Sequence, residues 1–153
     1  MNRILSRIFG WHTPSILIVE PDPGLRQLES RALSSRYQIV STGSAEEAVR
    51  TAARHETEID VLLTEVRLPR VNGWELTELL KLDYPNLKVV YLSNSLEAEI
   101  REHTYPSKVV ILENPFRANL LRQAVHDVLE TRQNDGGALQ CPVYTPLVSR
   151  LGR

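Results

Sequence analysis

Short apolar runs recur along the chain, and a stretch with apolar residues at helical spacing separates each run from the next. Runs this short and this rich in Val, Ile and Leu are typical of strands buried on both faces of a sheet. Strands that alternate with helices indicate a parallel sheet joined by right-handed crossovers. The predicted strands cover residues 15–20, 37–41, 61–65, 88–92 and 109–112.

The predicted helices fill the intervals between these strands and lead on from the last one. They cover residues 25–34, 45–54, 74–83, a short stretch from Ser95, and 118–131. In the first helix we expect Leu25, Leu28, Ala32 and Leu33 to face the core, because they share one side. The fold class is therefore α/β: a flavodoxin-like doubly wound sheet of five parallel strands in the order 2-1-3-4-5, with helices on both faces.

Polar side chains collect where the predicted strands end. In this strand order the topological switch lies between the first and third strands, which end at Glu20 and Glu65. Asp22 follows the first strand, Ser93 the fourth and Asn114 the fifth, so we expect them at one crevice. Clustered acids suit Mg²⁺, and a hydroxyl beside them suits phosphoryl transfer, but the cationic side chain that such chemistry uses is missing.

Composition and charge restrict the class of protein. The chain has 153 residues, enough for one domain with a proper core. A formal net charge of −1 argues against a nucleic-acid partner. Cys141 is the only cysteine, so an internal disulfide is impossible and a reducing cytoplasm is expected. No apolar run reaches the ~18 residues of a membrane-spanning helix.

The two ends of the chain differ from its middle. Residues 1–14 form a short amphipathic segment, with apolar side chains at helical spacing and arginines offset from them. This segment is either a frayed terminus or a weak contact with a membrane surface or a partner. Residues 132–153 have no clear period and are predicted to be a flexible tail. The apolar cluster of Val143-Tyr144 and Leu147-Val148 in it is either a docking peptide or part of an unselected terminus.

Four motifs together resemble the receiver domain of bacterial two-component response regulators, over residues 15–131. The motifs are ILIVEPDP at the first strand, DVLLTEVRLPRVNGWEL around the third, VVYLSNS at the fourth and ILENPF at the fifth. The resemblance implies a receiver fold, a role in a phosphorelay, and contact with a histidine kinase or an output protein.

The resemblance also implies roles for the residues at the strand ends. Receiver domains are phosphorylated on an Asp at the end of the third strand, and that position is Glu65 here. They bind Mg²⁺ with consecutive acids after the first strand, and the matching positions are Glu20, Pro21 and Asp22. The acidic pocket is therefore reduced to Glu20 and Asp22, which with Glu65 form a vestigial Mg²⁺ site.

Further positions either keep the receiver pattern or depart from it. The hydroxyl after the fourth strand is kept as Ser93, and the glycine after the active loop is kept as Gly73. The Lys that contacts the phosphoryl group, next to a proline in a usually cis bond, is replaced by Asn114 before Pro115. The aromatic switch residue of the fifth strand is Ile111 here.

These departures predict a stand-alone pseudo-receiver, whose phosphorylation site has degenerated. We expect no enzymatic activity, weakened Mg²⁺ binding with no required cofactor, and action by protein–protein contact in the cytoplasm. Glu65 is then a remnant, or a permanent negative charge that imitates the phosphorylated state. The rival hypotheses are an active phosphoacceptor that uses Glu65 with Mg²⁺, and a membrane-associated adaptor that uses residues 1–11.

The resemblance places a partner or dimer face on the fourth helix, the fifth strand and the fifth helix. The charged residues of this face are Glu97, Glu99, Glu102, Arg117 and Arg122. Opposite charges side by side predict an isologous homodimer, and the alternative is that these helix faces are simply solvated.

Overall fold

The computed structural model describes residue 10 and residues 12–56, 58–95, 110–131 and 143–144. Its strands are β1 (Ser15–Val19), β2 (Gln38–Thr42), β3 (Val61–Glu65), β4 (Lys88–Ser93), β5 (Val110–Glu113) and β6 (Val143–Tyr144). Its helices are α1 (Pro23–Leu33), α2 (Ala45–Arg54), α3 (Gly73–Asp83) and α4 (Ala118–Glu130). Among the described residues, no helix is both long and apolar enough to cross a membrane.

The strands pair in parallel throughout, in the order β2-β1-β3-β4-β5-β6. The first five positions confirm the predicted order 2-1-3-4-5. β1 lies between β2 and β3, and Val19 is in register with Thr64. Glu20 directly follows β1 and Glu65 is the last residue of β3. The two residues therefore lie at the same edge of the sheet, on neighbouring strands.

β6 is a strand that the sequence did not predict. Val143 and Tyr144, which were expected in a flexible tail, are in parallel register with Ile111 and Leu112 of β5. The outer edge of β5 would otherwise present unpaired backbone groups, which explains why a short segment can add to it. The rest of the tail, the predicted fourth helix beyond Ser95, and residues 1–9 lie outside the described residues.

Side chains of the strands point alternately into two apolar cores, one on each face of the sheet. Leu17 and Val19 pack on the side of α2 and α3, whereas Ile16 and Ile18 pack on the side of α1 and α4. All four side chains are fully buried. Burial on both faces explains why the apolar runs in the sequence are continuous rather than alternating.

The first helix does not bury the face that its leucines predict. Leu28 is 62% exposed and Leu25 is 43% exposed, whereas Glu29 is 5% exposed and Leu33 is fully buried. Glu29 and Leu33 lie one turn apart, so they share the side of α1 that faces the sheet. Leu25 and Leu28 instead border a groove between α1 and the chain that leads into α4. The predicted inward positions of Leu25 and Leu28 are therefore wrong.

Side-chain caps fix the starts of the two helices that border the site. Asp22 is the N-cap of α1, and its carboxylate accepts a hydrogen bond from a backbone N–H of the first turn (2.8 Å). Asn72 and Glu75 form a capping box at the start of α3. Each cap satisfies backbone donors that a helix leaves without a partner, so both helices begin at defined positions beside the strand ends.

Candidate functional site

Two carboxyl groups, those of Glu20 and Glu65, meet at the switch point of the sheet. Glu20 is 2% exposed, and its Oε1 accepts a hydrogen bond from the backbone N–H of Asp22 (2.7 Å). The guanidinium of Arg26 donates to the backbone carbonyl of Glu20 (2.7 Å). Glu65 is half-buried at the end of β3. The two carboxyl groups interact closely enough for Glu20 to alter the ionisation of Glu65.

The environment of Glu65 favours its protonated form. Burial raises the pKa of Glu65 to about 7, and charge repulsion from Glu20 and a side-chain hydrogen bond with Glu20 add to the shift. A carboxyl group that loses solvent and gains a negative neighbour keeps its proton to higher pH. Near neutral pH, part of the population therefore carries a proton on Glu65. This environment does not favour the permanent negative charge that imitation of a phosphoryl group requires.

A third carboxyl group, that of Glu29 in α1, joins this pair, and the sequence did not predict it. Burial raises the pKa of Glu29 to about 8, and the charges of Glu20 and Glu65 raise it further. The sequence carries one signal for this burial, since Glu29 lies four residues before Leu33 on the same side of a helix. Leu25 and Leu28, on the neighbouring side of the helix, instead predict that their own side is buried, so the sequence pattern does not identify Glu29 as a core residue.

One of the acids that the sequence assigns to a metal site serves as a helix cap instead. Asp22 is exposed, and its Oδ1 accepts the backbone N–H of Leu25 (2.8 Å) as the cap of α1. Pro21 supplies no side-chain ligand. In the part of the chain that the structure describes, no group of three or more acidic, His or Cys side chains is placed to hold a metal ion. Of the three acids that the receiver resemblance assigns to a metal site, only Glu20 and Glu65 lie together, because the carboxylate of Asp22 caps α1.

Ser93 lies beside Glu65 at the end of β4. The two residues line a cavity of about 70 Å³ together with Arg67, an exposed residue of the loop after β3. The Oγ of Ser93 accepts a hydrogen bond from the backbone N–H of Ser95 (3.1 Å). The cavity therefore places a carboxyl group and a hydroxyl beside the loop that carries Arg67.

Asn114, which the sequence resemblance aligns with the receiver lysine, borders a different cavity. Its backbone N–H donates to the carbonyl of Ser93 (2.8 Å), which ties the end of β5 to the end of β4. The bond from Asn114 to Pro115 is cis. Asn114 lines the groove that also contains Glu29, and its neutral amide brings no charge there.

The residue that the sequence resemblance assigns to the switch position of β5 is buried and aliphatic. Ile111 is 1% exposed and in register with Tyr91 of β4, which is equally buried. The Tyr91 hydroxyl is hydrogen-bonded to Thr77 (2.8 Å), and its ring centroid lies 4.3 Å from that of Trp74. The buried aromatic side chain of this region is therefore fixed on β4. Ile111 has no polar group that would favour movement between a buried and an exposed position.

Gly73 allows α3 to begin directly against the end of β3. A Cβ at this position would overlap the backbone carbonyl oxygen of Glu65. The backbone N–H of Gly73 donates to the carbonyl of Val66 (2.8 Å), so a hydrogen bond holds the close approach. The glycine thus sets the separation between Glu65 and the start of α3.

Comparison with known families assigns this sheet to a family. The family model for the response regulator receiver domain matches residues 16–126. The chain belongs to the response regulator receiver family. The matched region runs from β1 into α4, so it contains the carboxyl groups, the hydroxyl and the cis bond described above.

Relatives of this receiver domain occur within much longer proteins. The two-component response regulator ORR24 of Oryza sativa subsp. indica is 31% identical over 123 residues, which make up 78% of this chain and 19% of that protein. The sensor kinase CckA of Brucella abortus is 29% identical over 118 residues, which make up 76% of this chain and 12% of that protein. The chain therefore spans less than a fifth of the length of these relatives.

Solved structures share the receiver fold at low sequence identity. A response regulator receiver protein from Sinorhizobium medicae matches with a TM-score of 0.69 over 80% of this chain and 99% of that chain, at 23% identity. The receiver domain of the hybrid histidine kinase CckA matches with a TM-score of 0.64 over 76% of this chain and 99% of that chain, at 24% identity. The fold is therefore kept while most side chains differ.

The receiver domain brings together only part of the set of residues that the sequence singled out. The residues that meet at the crevice are Glu20, Glu65 and Ser93. Asp22 caps a helix, Asn114 lines the groove beside α1, and Ile111 lies in the core. The crevice thus holds two of the predicted carboxyl groups and the predicted hydroxyl, and the other three predicted residues lie elsewhere.

Proposed function

We propose that this receiver domain acts in two-component signal transduction through protein–protein contact, without efficient phosphorylation of Glu65. It is a binding module rather than an enzyme, and it requires no cofactor. The observation that carries the proposal is the pKa of Glu65, which burial and Glu20 raise to about 7. A carboxyl group that holds a proton near neutral pH is poorly prepared to attack a phosphoryl group.

Three substitutions support the proposal, each through a different physical cause. Glu65 is one methylene longer than aspartate, so its carboxylate is displaced from the position of an aspartate nucleophile. Where the rate depends on precise positioning, a displacement of ~1 Å can lower it ~10²-fold. Pro21 removes a carboxylate from the metal shell. Asn114 removes the positive charge that would stabilise the transferred phosphoryl group.

The proposed partners are a histidine kinase or an output protein of a phosphorelay, in the cytoplasm. The names of two relatives, a sensor kinase and a two-component response regulator, support this class of pathway. The alternative of a membrane-associated adaptor depends on residues 1–11, most of which lie outside the described residues.

A homodimer through β5 and the helices beside it has less support than the sequence suggests. β6 lies along the outer edge of β5. The guanidinium of Arg122 donates to the carbonyl of Ala32 in α1 (3.5 Å), so this side chain turns towards the body of the domain. Arg117, before α4, is exposed. The acids proposed to pair with these bases, Glu97, Glu99 and Glu102, lie outside the described residues.

Titration with millimolar Mg²⁺ should produce no saturable change in the fluorescence of Trp74. Trp74 follows Gly73 at the start of α3 and contacts the ring of Tyr91, so its emission reports on the crevice. A Trp11→Phe background removes the second tryptophan of the chain.

The control for this titration is a variant in the same background that carries Pro21→Asp and Glu65→Asp. It adds a carboxylate at position 21 and shortens the one at position 65 to the length of aspartate, and it should respond to Mg²⁺. Saturable quenching in the Trp11→Phe protein itself would contradict the proposed loss of metal binding.

A further inference from the structure

An apolar groove opens between α1 and the chain that leads into α4, apart from the small cavity beside Glu65. Its volume is about 530 Å³. Its lining includes Leu25, Leu28 and Phe116. Glu29 also lines the groove but is only 5% exposed, so the surface that the groove presents is mainly carbon.

Two leucines of α1 border this groove and are largely in contact with water. Leu28 is 62% exposed and Leu25 is 43% exposed. Single exposed leucines are common on protein surfaces, but these two lie one turn apart on the wall of one groove. A segment that filled the groove would remove both side chains from water, which is favourable in proportion to the apolar area that it covers. The groove therefore favours an apolar occupant.

The strand β6 directs the chain that follows it towards the edge of the sheet where this groove lies. Tyr144, the last residue of β6, is in register with Leu112 of β5. The two strands are parallel, so residue 145 leaves β6 at the edge where β5 leads into Asn114. Asn114 lines the groove. The segment after β6 therefore starts ~4.8 Å, one strand spacing, from the strand that leads into the groove.

Residues 145–153 have the length and the apolar side chains to reach and fill the groove. Their sequence is TPLVSRLGR, and they lie outside the described residues. An extended chain spans ~3.3 Å per residue, so Leu147 and Val148 can reach ~10–13 Å beyond Tyr144, which is two to three strand spacings. Pro146 favours an extended conformation in the residue before it, so the chain can continue in the direction of β6.

The covalent connection favours this segment over an occupant from solution. A short flexible connection gives a tethered segment an effective concentration in the millimolar range. Modest apolar contacts are then enough for the segment to occupy the groove, whereas a separate molecule would need tighter binding to displace it.

We propose that residues 145–153 of the same chain dock in this groove, with Leu147 and Val148 against Leu25, Leu28 and Phe116. The docked segment covers the exposed leucines of α1 and closes the groove to other apolar ligands until it is displaced. The inference goes beyond the signalling role and does not require it, because it depends on β6 and the groove rather than on the carboxyl groups at the strand ends.

A nitroxide label at position 149 of the full chain tests the proposal. The label is attached after Ser149→Cys in a Cys141→Ser background, which removes the only natural cysteine. The readout is paramagnetic broadening of amide signals in isotope-labelled protein. We expect broadening concentrated in residues 25–32 and 116–121 and little in α2, which packs on the opposite face of the sheet. Broadening that is absent, spread evenly over the domain or centred elsewhere would overturn the proposal.

A mixed sample distinguishes docking within one chain from docking between two copies. Isotope-labelled protein without the nitroxide is mixed with unlabelled protein that carries it, so any broadening must pass between molecules. We expect the signals of the groove to stay sharp in this mixture. Broadening as strong as that within the single labelled chain would show that a second copy supplies the segment, and would overturn the proposal.

Substitutions on both sides of the contact test its assignment. Leu147→Ser together with Val148→Ser removes the apolar side chains and should weaken docking about ten-fold or more, measured as loss of the broadening. Leu28→Ser alters the groove wall and should act in the same direction. Leu82→Ser is the matched control, since Leu82 is 81% exposed on α3, and it should leave the broadening unchanged. Full broadening in the Leu147→Ser, Val148→Ser protein would refute the assigned contacts.

Discussion

Glu29→Gln should stabilise the protein near neutral pH, by on the order of 3 kcal/mol in the free energy of unfolding. Burial, together with repulsion from Glu20 and Glu65, raises the pKa of Glu29 from 4.5 to about 8 in the folded protein. Folding near neutral pH therefore forces this carboxyl group to take up a proton that the unfolded chain releases. Glutamine has no proton to take up, so the substitution removes that cost.

The gain from Glu29→Gln should depend on pH with a defined sign. Below about pH 4.5 the carboxyl group is protonated in both states, and the stability that it contributes is fully present. As the pH rises towards about 8, the unfolded chain ionises first, so the parent protein loses stability relative to the variant. Above that pH the difference levels off. Urea unfolding of both proteins over a series of pH values measures the effect.

A matched control separates burial of the acid from the general effect of removing a negative charge. Glu78→Gln changes an exposed acid of α3 and should alter the free energy of unfolding by less than about 0.5 kcal/mol. The pKa of Glu65 is also raised, to about 7, and contributes a dependence of the same sign to all three proteins. A gain in the Glu29→Gln protein that does not change with pH, or a loss of stability, would show that Glu29 is not buried as a protonated acid.

Gly73→Ala should destabilise the fold by about 1–3 kcal/mol, the usual cost of adding atoms to a packed site. The new Cβ would overlap the backbone carbonyl oxygen of Glu65 and lie 3.3 Å from its carbonyl carbon. Backbone atoms of β3 cannot rotate away as a long side chain can, so α3 must shift from the sheet. The hydrogen bond from the Gly73 N–H to the carbonyl of Val66 (2.8 Å) resists that shift.

Gly24→Ala in α1 is the matched control for this substitution. Its Cβ would meet Oδ1 of Asp22, the cap atom of α1, at 3.1 Å, a contact that a shift of a few tenths of an ångström in this side chain relieves. Alanine also favours helix over glycine, so the variant should remain within about 1 kcal/mol of the parent protein. Chemical unfolding of the three proteins gives the comparison. Equal stability of the Gly73→Ala and parent proteins would mean that α3 does not approach β3 as closely as described.

The sequence predicts the sheet well because its strands are buried on both faces. Continuous apolar runs such as residues 15–20 and 61–65 fit few structures other than central parallel strands. Right-handed crossovers then restrict the strand order. The neighbouring positions of Glu20 and Glu65 follow from that order, since they end the strands on either side of the switch point.

The orientation of α1 could not be predicted because the helix carries two competing apolar sides. Leu25 and Leu28 suggest one buried side and Leu33 suggests another, and packing on the sheet selects the side that buries Glu29. Periodicity counts apolar residues and gives no weight to a charged residue that tertiary packing buries. The use of the Asp22 carboxylate as a helix cap also depends on where α1 begins, and it decides which acids remain for a metal.

Intact-mass measurement after exposure to a small phosphodonor and Mg²⁺ tests most directly whether Glu65 accepts a phosphoryl group. A variant with Pro21→Asp, Glu65→Asp and Asn114→Lys restores an acid, the nucleophile and the cation, and it should gain the mass of one phosphoryl group. We expect the mass of the parent protein to remain unchanged under the same conditions. A gain of one phosphoryl group in the parent protein that Glu65→Gln abolishes would contradict the proposed loss of phosphorylation.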